Sequence, residues 1–140
     1  MPAPILSGCD DPIDPACADL RGLWSAVDVH VDGARAADSH PMWHHTERIE
    51  QAGTRVVITS GGVIHDFVSV DGTYENGCHD VAAMDYSTPI VIAASFEDEV
   101  LVLRPQGMTG IEVRRHLDGH DLVWSYVGGL VVRMERSDPA

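Results

Sequence analysis

The sequence predicts an all-β fold, an up-and-down antiparallel β-barrel of about ten strands preceded by a short irregular arm. From Leu23 onward, short runs of valine, isoleucine, threonine and aromatic residues recur. Turn pairs such as Asp71-Gly72, Asp118-Gly119 and Gly128-Gly129 separate these runs and are typical of β-hairpins. No segment sustains a helical period. Ten strands joined by tight turns can remove their exposed edges by closing into a barrel.

Residues 1–20 form the predicted arm because they hold four prolines and four aspartates. One helical turn is expected there, near residues 16–20. Residues 21–137 form one barrel domain, which agrees with the usual size of a single domain. The strands are expected near residues 23–31, 44–51, 54–60, 63–70, 73–81, 90–96, 99–105, 110–117, 120–127 and 130–136.

The connection over residues 32–43 is the longest in the barrel and contains His40-Pro41-Met42-Trp43. We expect it to fold as a lid over one open end of the barrel, where a ligand would enter.

Composition excludes several kinds of partner. The chain of 140 residues has nine basic residues, all arginine, against 22 acidic ones, for a net charge of −13. No basic stripe is available for phosphates, so neither nucleic acid nor an anionic membrane surface is an expected partner. No stretch approaches the roughly 18 apolar residues of a membrane helix. The absence of lysine suggests a high-GC bacterial genome.

The cysteines favour a reducing compartment. Cys9, Cys17 and Cys78 are odd in number and have no C-x-x-C spacing. We therefore expect a cytoplasmic protein.

Turn length predicts which side chains face inward, because it sets the hairpin register. The Asp118-Gly119 turn places Arg115, Trp124 and Tyr126 on the inner face. A two-residue turn at Gly128-Gly129 sets Trp124 opposite Arg133 and leaves an apolar outer face suited to a homodimer contact. That face consists of Val123, Val127, Leu130, Val132 and Met134. A turn one residue longer would reverse the last strand.

The same argument applies to the earlier hairpins. The Ala52-Gly53 turn groups Glu47 with His45 on an inward face. For the Asp71-Gly72 hairpin we favour as inward the face that combines aromatic rings with a few polar groups, as a ligand cavity requires. Its polar and aromatic members are His65, Phe67, Ser69, Tyr74, Asn76, Cys78 and Asp80.

Three residues are candidates for acid–base catalysis: His65, Glu47 and Tyr74. An inward imidazole near a carboxylate could move a proton near neutral pH, and the alternative is a core histidine bonded to a backbone carbonyl. Burial would raise the pKa of Glu47 unless Arg115 or Arg133 pairs with it. Cys78 fits a buried inert thiol better than a nucleophile. The expected substrate-binding residues are Trp43, Phe67, Asn76, Phe96, Arg115, Trp124 and Tyr126.

The histidine spacing predicts neither a metal nor another cofactor. His44 and His45 are adjacent and point to opposite faces of a strand, and His116 and His120 flank a turn. Neither pair is a known ligand geometry. The chain also lacks a nucleophile elbow and a phosphate-binding loop.

Two features resemble the calycin superfamily, which comprises the lipocalins and the fatty-acid-binding proteins. Gly22-Leu23-Trp24 opens the first strand, and Arg133 lies in the last. The resemblance implies that Trp24 closes the barrel floor with Arg133 stacked over it. Ten strands are closer to the fatty-acid-binding branch, although glutamate stands where that branch has the tyrosine of Arg-x-Tyr. Ser25-Ala26-Val27-Asp28 replaces the glycine-rich extension of haem-binding members, which argues against haem.

The resemblance implies an apolar small molecule in the barrel and leaves two functions open. The favoured one is a cofactor-free cyclase or isomerase that acts on a polyketide- or polyene-like substrate in specialised metabolism. The alternative is a non-catalytic carrier or sensor of a fatty acid or other hydrophobic metabolite. An uncompensated inward base favours the enzyme, and inward arginine without a base favours the carrier.

Overall fold

The computed structural model describes residues 1–81, 87–126 and 129–137. Within them the chain forms eleven strands and one 3-10 turn, η1. The elements are β1 (Gly22–Val31), β2 (Ala34–Arg35), η1 (Pro41–His44), β3 (Thr46–Ala52), β4 (Arg55–Ser60), β5 (Val63–Phe67), β6 (Cys78–Val81), β7 (Pro89–Glu97), β8 (Val100–Pro105), β9 (Val113–Asp118), β10 (Asp121–Tyr126) and β11 (Leu130–Arg136).

All the strands belong to one antiparallel sheet that curls into a nearly closed barrel. The hydrogen-bonded order is β5-β4-β3-β1-β11-β10-β9-β8-β7-β6, and the two-residue β2 pairs with β1. The first strand pairs with the last, as in an up-and-down barrel. The predicted all-β fold is confirmed. The two ends of the order, β5 and β6, face each other across a seam.

The main departure from the predicted strands lies between β5 and β6. The Asp71-Gly72 pair does not make a tight hairpin, because residues 68–77 form a loop organised by one carboxylate. Asp71 accepts hydrogen bonds from the backbone N–H and hydroxyl of Thr73 and from Nδ2 of Asn76. Continuous strand pairing therefore stops at Phe67 and resumes at Cys78, with an isolated bridge between Asp71 and Ser95 in the interval.

Buried apolar side chains from most of the strands form one core inside the barrel. Trp24, Phe67, Leu101, Leu122 and Met134 are fully buried. They come from β1, β5, β8, β10 and β11, so the inward faces of strands far apart in sequence share one cluster. Burial of this apolar surface is the main force holding the barrel together.

The floor differs from its prediction in one residue. Arg136, rather than Arg133, lies over the Trp24 ring, 4.5 Å from its centroid. The register explains the change, because Arg136 pairs directly with Trp24 and Arg133 pairs with Asp28. Arg133 instead lies on the outside and forms ion pairs with Asp118 and Asp121.

The outward face predicted for the last strand was wrong. Val132 and Met134 are completely buried, and Leu130 is half-buried. Val123 belongs to β10 and pairs with the outward Arg133, so the reversal does not extend to it. The cause is a longer turn: Tyr126 pairs with Leu130, so three residues separate β10 from β11. A shift of one residue reverses both faces of a strand. Val127 lies outside the described residues.

The arm is irregular, as expected, but the helical turn predicted near residues 16–20 does not form. Side chains of β3 hold the arm to the barrel. The Glu50 carboxylate accepts the backbone N–H groups of Ile5 and Leu6, and the amide oxygen of Gln51 accepts that of Leu20 at 2.6 Å. Leu20 is fully buried in the core.

The connection between β1 and β3 contains β2 and η1. Its Trp43 is half-buried, donates its indole N–H to the carbonyl of Ala37 at 3.0 Å and carries Arg35 over its ring. Met42 on η1 reaches the barrel interior, where it lines a cavity. Across residues 1–81, 87–126 and 129–137, no helix has the length and apolar character to cross a membrane.

Candidate functional site

A cavity of about 300 Å³ lies inside the barrel, next to η1. Its walls combine apolar side chains with several polar ones, which is the usual composition of a ligand site. The lining residues are Met42, His45, Glu47, Ile58, Ser60, Val63, His65, Arg115 and Trp124.

A buried ion pair forms one wall of this cavity. Arg115 on β9 donates from Nε to Oε2 of Glu47 at 2.8 Å and from Nη2 to Oε1 at 3.2 Å. Glu47 on β3 is fully buried and Arg115 is 6% exposed. The two-pronged geometry offsets much of the cost of removing both charges from water.

His45 completes a three-residue network. It follows η1 in extended backbone, and its Nε2 lies 2.8 Å from Oε1 of Glu47. An ionised carboxylate only accepts hydrogen bonds, so Nε2 is the donor in this contact, and in the neutral tautomer of the ring that keeps this bond the lone pair lies on Nδ1. The His45 ring also lies beside Trp124, with ring centroids 6.4 Å apart.

Glu47 is held ionised. Burial by itself would raise the pKa of its carboxyl group, but Arg115 and the hydrogen bond from His45 outweigh burial and lower the pKa to about 2. A carboxylate this acidic does not accept a proton near neutral pH, so its role is to orient its two partners.

Arg115 retains an unused donor. Its Nη1 is buried and has no hydrogen-bond partner among the described residues. A buried donor without a partner costs free energy, which a ligand oxygen in the cavity would recover. Arg115 lines the cavity, so a carbonyl or carboxylate oxygen that reaches Nη1 through a small side-chain movement would gain this donor.

The structure brings four of the predicted site residues together at the cavity: His65, Glu47, Arg115 and Trp124. His65 is half-buried on β5. The one hydrogen bond of its side chain in the described parts of the chain runs from Nε2 to the carbonyl of Val81, at a long 3.4 Å.

The other predicted binding residues lie elsewhere. Phe67 is in the core, and Phe96 and Trp43 pack against it. Tyr126 stacks on Trp124 but is 37% exposed. Tyr74 and Asn76 belong to the loop over residues 68–77, and Tyr74 lines a different cleft with Arg104.

Sequence reasoning placed His45 beside Glu47 without assigning it to the site. The signal was available, because residues two apart on a strand share a face. Met42 and Ser60 were also missed. Met42 reaches the cavity only through the packing of η1 on the barrel, which has no local sequence signature.

Cys78 is a buried, protonated thiol in this structure. It is 1% exposed, and burial, together with the negative charge of Asp80, raises its pKa to about 12. All three cysteines are free.

Comparison with protein-family models finds none that matches this chain, and comparison with curated proteins finds no match either.

Proposed function

We propose that the barrel is a cofactor-independent proton-transfer enzyme, an isomerase or cyclase, for a small apolar substrate that carries a carbonyl oxygen. One observation carries the proposal: Arg115 Nη1 and His45 Nδ1, neither with a hydrogen-bond partner among the described residues, belong to one network that lines a largely apolar cavity. To remove a proton from the carbon next to a carbonyl group, an enzyme needs at least a base for the proton and a hydrogen-bond donor for the carbonyl oxygen.

The reaction divides into two proton transfers. Nδ1 of His45 takes a proton from the carbon next to the substrate carbonyl, and Nη1 of Arg115 stabilises the negative charge that develops on the oxygen. The imidazolium then returns the proton to a different carbon, which moves the double bond. In a cyclisation, the same electron pair would form a ring bond to a second carbonyl carbon of the substrate, whose C=O π pair moves onto its oxygen and takes the proton from the imidazolium. Glu47 acts as a positioning residue that holds both partners and stabilises the transient imidazolium.

The cavity limits the size of the substrate. Its volume of about 300 Å³ lies at the small end of the ~300–1,000 Å³ range for ligand sites. Met42, Ile58, Val63 and Trp124 supply apolar walls. The site suits a compact unsaturated ketone or a short polyketide- or polyene-like fragment better than a long chain.

Hydrogen exchange on candidate substrates tests the proposal. The protein would be incubated in D₂O with a panel of small unsaturated ketones, and deuterium incorporation next to the carbonyl would be followed by NMR. The wild type should accelerate incorporation for at least one compound, and His45→Gln should abolish most of that acceleration by removing the base.

His44→Gln is the matched control, because His44 is the adjacent histidine and is exposed. It should retain wild-type exchange. Equal loss in both variants, or exchange in His45→Gln at the wild-type rate, would refute the role of the network in proton transfer.

A carrier or sensor is the second candidate, and the unpaired Arg115 donor also supports it. A carrier needs the cavity and one donor for a carboxylate head group, without a base. Saturable binding of a short fatty acid, unaffected by His45→Gln and accompanied by no deuterium exchange, would favour this function.

We further propose that the barrel belongs to the calycin superfamily and acts in the cytoplasm. The floor formed by Gly22, Trp24 and Arg136 supports the first statement, because it reproduces the stacked tryptophan and arginine of that family. The three free cysteines support the second.

A further inference from the structure

The described strand order is interrupted at one place, the seam between β5 and β6, where no ladder of backbone hydrogen bonds joins the two strands. Both strands are ends of the hydrogen-bonded order. β5 pairs with β4, and β6 pairs with β7. Their facing edges therefore lack the ladder of backbone hydrogen bonds that joins every other neighbouring pair in the order.

Three potential metal ligands meet across this seam. His65 comes from β5, and Cys78 and Asp80 come from the same face of β6. One ring nitrogen, the thiol sulfur and one carboxylate oxygen all lie within 4.8 Å of one another. Cys78 is buried, and the other two residues are half-buried.

We propose that His65, Cys78 and Asp80 bind one divalent cation of the zinc class, which clasps β5 to β6. Sulfur, imidazole nitrogen and carboxylate oxygen are the donors that zinc takes in proteins. Three protein ligands leave a fourth position for water or for a ligand in the cavity, which His65 also lines. The inference is independent of the proposed proton transfer, which uses His45, Glu47 and Arg115.

The spacing needs only a small adjustment. Around a tetrahedral zinc ion, bond lengths place neighbouring ligand atoms roughly 3.4–3.6 Å apart. The three atoms would each move inward by about 1 Å or less, within the reach of side-chain rotation. Two strands without a common ladder oppose such a movement less than paired strands do.

The surroundings of the cluster resemble the outer shell of a metal site. The backbone of Asp66 lies beside the Cys78 sulfur and acts to lower the pKa of the thiol against the effect of burial, and the Asp80 carboxylate accepts the N–H of Val81 at 2.8 Å. Within the described parts of the chain, the His65 ring makes one hydrogen bond, the long contact to the Val81 carbonyl. Such second-shell bonds orient ligands. A cleft of about 230 Å³, lined by Asp80 and Val63 among others, gives a route from outside.

The charges balance when the metal binds. Cys78 is a thiol in the absence of metal, so binding releases one proton and forms a thiolate–metal bond. The thiolate and the Asp80 carboxylate then neutralise the two charges of the cation, with His65 neutral. Affinity should increase with pH because the metal competes with the thiol proton.

Cobalt(II) is the probe for the experiment, since a thiolate-to-cobalt charge-transfer band reports sulfur ligation directly. The full chain carrying Cys9→Ser and Cys17→Ser serves as the parent, so that Cys78 is its only thiol. The parent should bind one Co²⁺ per chain with this band, and Zn²⁺ should displace it. Cys78→Ser should abolish the band, and His65→Gln or Asp80→Asn should weaken binding at least about tenfold.

His79→Ala is the matched control, because His79 lies on β6 but is exposed. It should bind Co²⁺ as the parent does. If Cys78→Ser fails to fold, the His65→Gln and Asp80→Asn affinities decide the question. Absence of a saturable charge-transfer band in the parent, or unchanged affinity in both of these variants, would overturn the proposal.

Discussion

Glu47 is the residue on which the buried network depends. Its two carboxylate oxygens satisfy Arg115 and His45 at once, in a position fully removed from water. Glu47→Gln would leave the Arg115 charge buried without a counter-ion, and loss of one member of a buried pair typically costs about 3–5 kcal/mol. We expect a correspondingly lower urea midpoint. Glu97→Gln, which breaks an exposed pair with Arg104, should leave the midpoint nearly unchanged.

The same carboxylate should make stability depend on pH in acid. The pKa of Glu47 is about 2 in the folded protein against a normal value of 4.5. Between these values the unfolded chain takes up a proton that the folded protein does not, so the free energy of unfolding falls as pH falls. The full contribution is about 3 kcal/mol.

Urea unfolding between pH 5 and pH 3 would measure this effect. The wild type and Glu47→Gln should both lose stability, because other carboxyl groups also have lowered pKa values. The wild type should lose more. Parallel curves for the two proteins would show that Glu47 is not held ionised.

The tryptophan at the floor gives a second test at the scale of single residues. Arg136 lies over the Trp24 ring and donates a hydrogen bond to the Arg21 carbonyl. Arg136→Ala should therefore destabilise the fold by about 1–2 kcal/mol. Arg133→Ala removes only surface ion pairs and should change the urea midpoint little. If Arg133→Ala lowers the urea midpoint more than Arg136→Ala does, then Arg133, the residue predicted from sequence, is the one that stabilises the barrel floor.

At the scale of strands, the predicted faces were right where the actual register differs from the predicted one by an even number of residues, and wrong where it differs by an odd number. The hairpin between β9 and β10 turns at Gly119-His120, so Leu117 pairs with Leu122 instead of His120. That shift is two residues, and the inward assignments of Arg115 and Trp124 survive it. The next hairpin shifted by one residue, so Trp124 pairs with Val132 rather than Arg133 and every assignment on β11 reversed.

The reversal of β11 can be measured directly. Met134→Ala should cost about 2–5 kcal/mol, because it empties space in the packed core. Val131→Ala, on the same strand but 40% exposed, should cost far less. Equal losses, or a greater loss at Val131, would contradict the register described here.

For the whole molecule, alternation predicted which side chains enter the barrel on the strands whose faces were assigned correctly, and it left open whether Arg115 or Arg133 meets Glu47. Glu47 and Arg115 are 68 residues apart, and their contact depends on closure of the entire barrel. Turn patterns predicted the number and place of the strands well. The cavity and the seam follow from how far the core fills the barrel and where pairing stops, and these are global properties without a local signature.

The uneven closure of the barrel predicts uneven local stability. β1, β10 and β11 lie at the middle of the sheet and pair on both sides, whereas β5 and β6 are each paired on one side only. A strand without a second neighbour can open without disturbing the rest of the sheet. In amide hydrogen exchange followed by mass spectrometry, peptides from β5 and β6 should exchange fastest among the strands, and those from β10 and β11 slowest. Uniform protection around the barrel would mean that the seam is closed in solution by contacts as strong as a backbone ladder.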